Sequence, residues 1–187
     1  MIGAEQVLSS ARNGRGRNDW QTPGKVLDLV RQFGPIGCDP ATCASNPTGA
    51  DMFYTEQSPL CGLTAPWFSF QEEFPRLAFC NPPYSETKKW ITKAIEESSE
   101  DRAEILLLIA SRTGTHYFAP CYDADAICFV RGRVTFNDAD TGKPVVDKHG
   151  KPMPAPFDSV IVYWGHRPAR FKRVFSGLGR VIFPKDS

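Results

Sequence analysis

Residues 77–110 read LAFCNPPYSETKKWITKAIEESSEDRAEILLLIA, and this stretch decides the fold. Leu77-Ala78-Phe79-Cys80 is a brief apolar run suited to a buried strand. It leads into Asn81-Pro82-Pro83-Tyr84, where two prolines fix φ and remove two N–H donors, so neither a helix nor a central strand can continue. Beyond this corner Ser85 can cap a helix reaching about Ser99, with Trp90, Ile91, Ala94 and Ile95 on one face. Ile105 to Ala110 is continuously apolar, the pattern of a strand buried on both faces. Strand, corner, helix and strand form a βαβ unit, which implies a parallel sheet.

Upstream, Thr22-Pro23 predicts a helix start, with Thr22 as N-cap and Pro23 at the first helical position. Val26, Leu27, Val30 and Phe33 follow at helical spacing, and Gly34-Pro35 stops the helix. A short strand is expected to end at Cys38-Asp39-Pro40, and residues 41–74 read as irregular. Downstream, a short helix is expected near Tyr117, with strands at 126–130, 134–136, 159–164 and 181–183. Residues 137–156 form a hydrophilic excursion rich in turn signals. The expected architecture is a three-layer α/β unit whose second half becomes antiparallel.

The chain has 187 residues, a length that favours one domain. We expect it to cover residues 20–187, behind a flexible basic arm at 1–19 whose Ser9–Asp19 stretch is polar and Gly-rich. No apolar run approaches the roughly 18 residues of a transmembrane helix, and no apolar segment near Met1 suggests a secretory leader. The six cysteines include no C-x-x-C pair; reduced thiols of a cytoplasmic protein, and no metal site, are expected. Net charge is only +1, so any nucleic-acid binding must rest on local basic patches.

The corner has chemical content. It sits at the carboxyl end of a strand, where ligands of open α/β sheets gather. The Asn81 amide oxygen and the Pro82 carbonyl can both accept hydrogen bonds from a planar, ring-conjugated amino group. That would draw its nitrogen toward tetrahedral geometry and stabilise the positive charge that develops there. Tyr84 offers a flat face to an unstacked base. The pattern alone would arise by chance in on the order of a few in a hundred such proline-rich chains, so a merely rigid turn has to be weighed beside it.

Further blocks, in order along most of the chain, carry a resemblance. Trp20-Gln21-Thr22-Pro23, Cys38-Asp39-Pro40-Ala41-Thr42, Asn46 with Asp51-Met52-Phe53-Tyr54-Thr55, and Leu63 with Trp67 precede Asn81-Pro82-Pro83-Tyr84-Ser85 and Trp90. Arg112-Thr113-Gly114-Thr115, Arg131-Gly132-Arg133-Val134-Thr135-Phe136 and Phe157-Asp158-Ser159 follow. The ordered set resembles the phage-type DNA N-6-adenine methyltransferases, the Dam-like family. The resemblance implies a Rossmann-like fold dependent on S-adenosyl-L-methionine (AdoMet), a mixed sheet with antiparallel C-terminal strands, and methylation of adenine N-6 in duplex DNA with the target base flipped out. It also implies a phage-encoded protein in a bacterial cytoplasm, and we expect a monomer or weak dimer.

Carried over residue by residue, catalysis falls to Asn81, Pro82, Pro83 and Tyr84. AdoMet binding falls to Trp20, Thr22, Pro23, Asp39, Pro40, Ala41, Asn46 and Asn81. DNA contacts are expected from Ser85, Arg112, Arg131 and Arg133, and from Lys143, Lys148 and Lys151 in a small recognition insertion at 137–156. Two departures stand out. The usual glycine-rich cofactor loop is replaced by Ala41, Thr42, Cys43, Ala44 and Ser45. Cys61-Gly62-Leu63 stands where the family tends to have Asp-Gly-Leu, so an acidic contact to the cofactor's adenine would be missing or would come from Glu56. The corner leaves other planar acceptors open (cytosine N-4, RNA adenine, a protein glutamine amide), and the missing glycines leave open a non-catalytic DNA-binding protein.

Overall fold

The computed structural model describes residues 20–56, 58–68 and 76–186; the expected basic arm at 1–19 lies outside them. In chain order the elements are β1 (Trp20–Gln21), α1 (Gly24–Phe33), β2 (Cys38–Asp39), β3 (Met52–Phe53), β4 (Leu77–Cys80), α2 (Thr87–Glu97), β5 (Glu104–Ala110), β6 (Ala126–Val130), β7 (Asn137–Asp138), β8 (Ser159–Trp164), α3 (Pro168–Phe175) and β9 (Gly179–Ile182). Seven strands form one sheet in the order β3-β2-β4-β5-β8-β6-β9. From β3 to β5 the strands are parallel, with Leu77 opposite Glu104 and Cys80 opposite Leu107. β8 inserts antiparallel between β5 and β6, and β9 closes that edge antiparallel to β6. The mixed α/β architecture and the antiparallel second half agree with the sequence reading.

The alternation of side chains along each strand explains why the sheet is covered on both faces. On β5, Leu106 and Leu108 pack with Val26, Leu27, Val30 and Phe33 of α1 and with Phe171, Val174 and Phe175 of α3. Ile105, Leu107 and Ile109 point the other way and meet Trp90, Ile91 and Ala94 of α2. Burying each such side chain contributes about 1.5–3 kcal/mol, which is why EILLLIA reads as one apolar run. Arg170 fastens α1 to α3 at the helix C-terminus: its Nε donates to the Phe33 carbonyl at 2.7 Å and its Nη2 to that of Gln32 at 2.9 Å. These carbonyls carry the negative end of the helix dipole, so a cation there is favourable.

Four local expectations are corrected. Pro23, in an extended conformation (φ −68°, ψ 149°), occupies the N-cap of α1, and no side-chain cap bond forms. Thr22 is therefore outside the helix and buried. Ser85 lies inside a 3-10 turn, Tyr84–Glu86, and α2 begins only at Thr87. The segment near Tyr117 contains a 3-10 turn at Ala119–Asp123, in which Pro120 occupies the first turn. Residues 134–136 join no sheet. Their carbonyls are taken by the excursion, with Ala155 N–H donating to Val134 and Val145 N–H to Phe136.

The excursion folds back as a hairpin with bridges Asn137–Pro144 and Val146–Pro152, its turns using Gly142 and Gly150 at positive φ. Its first residues, β7, pair antiparallel with β1: Trp20 lies opposite Asp138 and Gln21 opposite Asn137.

Candidate active site

A cleft of about 600 Å³ opens beyond the carboxyl ends of β2, β3 and β4, the edge at which parallel strands place ligands. Its size falls within the range of small-molecule sites. One wall is Asp39 at the end of β2 and the loop after it, through Ser45 with Pro47 and Thr48; another is Tyr54–Glu56 after β3 together with Cys61–Leu63. Asn81, Pro83, Glu86 and Trp90 close the side toward α2, while Trp20–Thr22 and Ala139–Asp140 close the side toward the hairpin. The lining carries four carboxyl side chains (Asp39, Glu56, Glu86, Asp140), and among the described residues it includes no Lys or Arg. Glu86 is paired with Lys89 of α2; the lining as a whole favours a cationic ligand over an anionic one.

Asn81 stands on the corner that ends β4. Its Nδ2 donates to the Trp20 carbonyl at 2.9 Å, which fixes the amide plane and hence the direction of Oδ1. The Tyr84 hydroxyl donates to that Oδ1 at 3.3 Å. An amide oxygen has two lone pairs, so one remains for an incoming N–H. The Tyr84 ring is half-buried against Phe157, Phe136 and Trp20, with centroids 4.7, 6.1 and 6.3 Å away. Burial pushes its hydroxyl well above the ordinary tyrosine range, so at neutral pH it remains a proton-bearing donor.

Asp39 ends β2 with 3% of its surface exposed. One carboxylate oxygen accepts the Ala41 N–H at 3.2 Å, and the other accepts the Thr48 hydroxyl at 2.9 Å. Burial outweighs these bonds and raises its pKa from 3.8 to about 6. The folded chain therefore retains a proton that the unfolded chain releases between these values, and stability falls as pH rises through that window. Above it the ionised form costs about 3 kcal/mol. Asp39→Asn removes this cost, and the Thr48 hydroxyl can still donate to Asn46 Oδ1 at 3.0 Å. Urea denaturation at pH 4.5 and pH 7 should show the variant stabilised relative to the parent at pH 7 and little changed at pH 4.5. An equal difference at both pH values would mean that Asp39 does not titrate in this window.

A glycine on another segment packs against the loop after β2. A Cβ on Gly62 would lie 1.9 Å from the Pro40 carbonyl oxygen and 2.8 Å from its carbon, so only glycine lets this segment lie against the loop after β2. The segment is anchored to its own tryptophan, whose Nε1 donates to the Gly62 carbonyl at 2.7 Å. Trp67 N–H in turn donates to Glu97 Oε2 at 2.9 Å, and Glu97 is paired with Lys93 on α2. Trp90 Nε1 is buried without a hydrogen-bond acceptor among the described residues.

Of the residues singled out from sequence, Trp20, Thr22, Asp39, Pro40, Ala41, Asn81 and Pro83 meet in the cleft. Pro23, Asn46, Pro82 and Tyr84 lie outside its lining. Asn46, at positive φ, braces the Asp39 loop: its Oδ1 accepts the Ala50 N–H and lies 3.0 Å from the Thr48 hydroxyl, and its Nδ2 donates to the Ala50 carbonyl. Ser85, Arg112, Arg131, Arg133, Lys143, Lys148 and Lys151 are all exposed. Arg112, expected to point into the cleft, is not part of its lining, because the cleft extends from β4 toward β3 and away from β5. Arg133 pairs with Asp158 at 3.6 Å. Sequence reasoning missed Gln21, Thr48, Gly62, Trp90, Ala139 and Asp140. Of these, Gln21 and Trp90 stood inside the family-like blocks and Gly62 inside Cys61-Gly62-Leu63, whereas Thr48, Ala139 and Asp140 carried no signal.

Comparison with known proteins identifies the family. Residues 9–162 match the family described as DNA N-6-adenine-methyltransferase (Dam). The protein of Haemophilus phage HP1 (strain HP1c1) named DNA N-6-adenine-methyltransferase is 29% identical over 137 residues, covering 72% of this chain and 74% of its own length. With the family match spanning most of its length and the Asn-Pro-Pro-Tyr corner set at the mouth of the cleft, the chain belongs to the DNA N-6-adenine-methyltransferase family and is an enzyme that methylates adenine N-6 in DNA.

Proposed function

We propose that the cleft binds AdoMet as methyl donor and that the Asn81 corner receives an adenine turned out of duplex DNA. The observation that carries this reading is that Asp39 and Asn81, from different walls, line one cleft rich in carboxyl side chains, without Lys or Arg among its described lining residues. Such a lining suits the sulfonium and ammonium charges of AdoMet, and the volume suits a nucleoside with an amino-acid tail. The parallel half of the sheet, with its site at the carboxyl ends, supports a Rossmann-like classification.

AdoMet, when bound, supplies an electrophilic methyl group. The chain's own residues orient the acceptor. Asn81 Oδ1, held in direction by the Trp20 carbonyl, and the Pro82 carbonyl take the two N–H bonds of the adenine amino group. As the nitrogen gains positive charge these bonds strengthen, which is differential stabilisation of the transition state. The proline-fixed corner keeps the acceptors in place beforehand. Thr22, Pro40, Ala41 and Asp39 contribute to the cofactor side, with Pro23 and Asn46 as supports behind them. Calorimetry with AdoMet, followed by mass spectrometry of DNA incubated with labelled AdoMet, tests the reading. Binding and N-6-methyladenine are expected; unmodified adenine, with the label on cytosine or on a protein glutamine, would overturn it.

On the DNA side, Ser85, Arg112, Arg131 and Arg133 are proposed to lie along the duplex, with the 137–156 hairpin as a small recognition insertion. Neutralising Lys143, Lys148 and Lys151 to Gln should flatten the salt dependence of duplex binding by about one unit per lost phosphate contact. Fluorescence anisotropy across a potassium chloride series measures this. An unaltered slope would return the hairpin to ordinary solvated surface. The reading places a phage-encoded monomer or weak dimer in the bacterial cytoplasm, where both substrates are found.

A further inference from the structure

We propose that Gln21 is a strut joining the cofactor-side loop to the hairpin, so that filling the cleft stiffens the segment presented to DNA. The inference rests on the reading of the cleft as the AdoMet site.

Gln21 lies on β1, backbone-paired with Asn137 at the root of the hairpin. Its Nε2 lies 2.9 Å from Cys43 Sγ and 3.1 Å from the Ala139 carbonyl oxygen. Cys43 and Ala139 line different walls of the same cleft, so the one amide nitrogen joins those walls where they meet. Cys43 Sγ is also 3.0 Å from Ser45 Oγ, which carries the link along the loop. On the other side the hairpin is held largely by bonds within itself and to residues 134–136, such as Asp138 N–H to the Lys143 carbonyl and Val145 N–H to that of Phe136.

A ligand that fixes the position of Cys43 therefore fixes Gln21, and Gln21 fixes the first turn of the hairpin. Coupling of this kind is reciprocal: a hairpin pinned on DNA tightens cofactor binding by the same factor. Gln21 is thus a positioning residue. It couples the holding of the two substrates without touching the transferred methyl group.

Hydrogen–deuterium exchange on the full chain, with and without S-adenosyl-L-homocysteine, tests the strut. In the parent protein the ligand should slow exchange at Gly142, Val145 and Met153 about fivefold or more. In Gln21→Ala that slowing should disappear even at ligand concentrations that saturate the cleft by calorimetry. Gln21→Asn, too short to reach both walls, should behave like the alanine variant. Cys43→Ala should also uncouple the hairpin, and the Gln21→Ala, Cys43→Ala double variant should lose nothing more, because both residues serve one connection. Slowing that persists in Gln21→Ala, or hairpin amides indifferent to a bound ligand in the parent, would overturn the strut. Failure of the parent to bind the ligand at all would instead remove the cleft reading, and the strut with it.

Discussion

Asn81→Ala should lower the single-turnover rate of adenine methylation about 100- to 1000-fold, the usual loss when one preorganised transition-state acceptor is removed. The structure gives this residue two links that a surface turn would not need: Nδ2 to the Trp20 carbonyl at 2.9 Å, and Oδ1 toward the Tyr84 hydroxyl at 3.3 Å. Affinity for AdoMet should fall much less, since Asp39 and the loop after β2 form a separate wall. Tyr84→Phe keeps the ring that packs on Phe157 and should retain most of the rate, whereas Tyr84→Ala opens the aromatic cluster and weakens productive DNA binding. Quenched-flow rates with both affinities decide the matter. A variant lacking Asn81 that methylates at the parental rate would reduce the corner to a turn.

The second large effect is expected at Gly62→Ala. A methyl group placed 1.9 Å from the Pro40 carbonyl oxygen meets backbone on a loop already held by Asp39. No flexible side chain is available to move aside. Overpacking of this kind costs about 1–3 kcal/mol, and relief requires the segment after Cys61 to draw away from the loop after β2, opening the cleft. AdoMet affinity should weaken roughly ten- to hundredfold and the melting temperature should drop. Titration calorimetry and thermal denaturation measure both. Unchanged values would mean that the close approach of Gly62 to Pro40 does not shape the site.

The readable parts of the sequence were those in which one segment carries its own message. EILLLIA announces a strand buried on both faces, Val26, Leu27, Val30 and Phe33 announce a helix, and two prolines announce a corner. The family blocks then located Asp39 and Asn81 in a common place. What escaped depends on partners distant along the chain. Thr48 is recognisable only because it folds back on Asp39, and the Trp20 carbonyl matters only because Asn81, 61 positions later, bonds it. The absent glycine-rich loop looked like a weakness of the site. What the structure adds is Gly62, on a different segment, which alone can lie so close to the Pro40 carbonyl. Thr22 had the local chemistry of a cap, but the extended Pro23 moved the helix start past it. Residues 134–136 had strand composition but spend their hydrogen bonds on the hairpin.

The position of β8 also governs how the molecule comes into being. This strand, which runs from Ser159 to Trp164, is wedged between β5 and β6, so a nascent chain that has emerged only as far as β6 cannot complete its sheet. β5, the most apolar strand, would then wait with an open edge, a state that invites pairing with other chains. Contacts between residues this far apart in sequence form slowly because loop closure must precede them. Methylation capacity should therefore appear late and abruptly during synthesis, and chains truncated before Ser159 should aggregate instead of retaining partial activity.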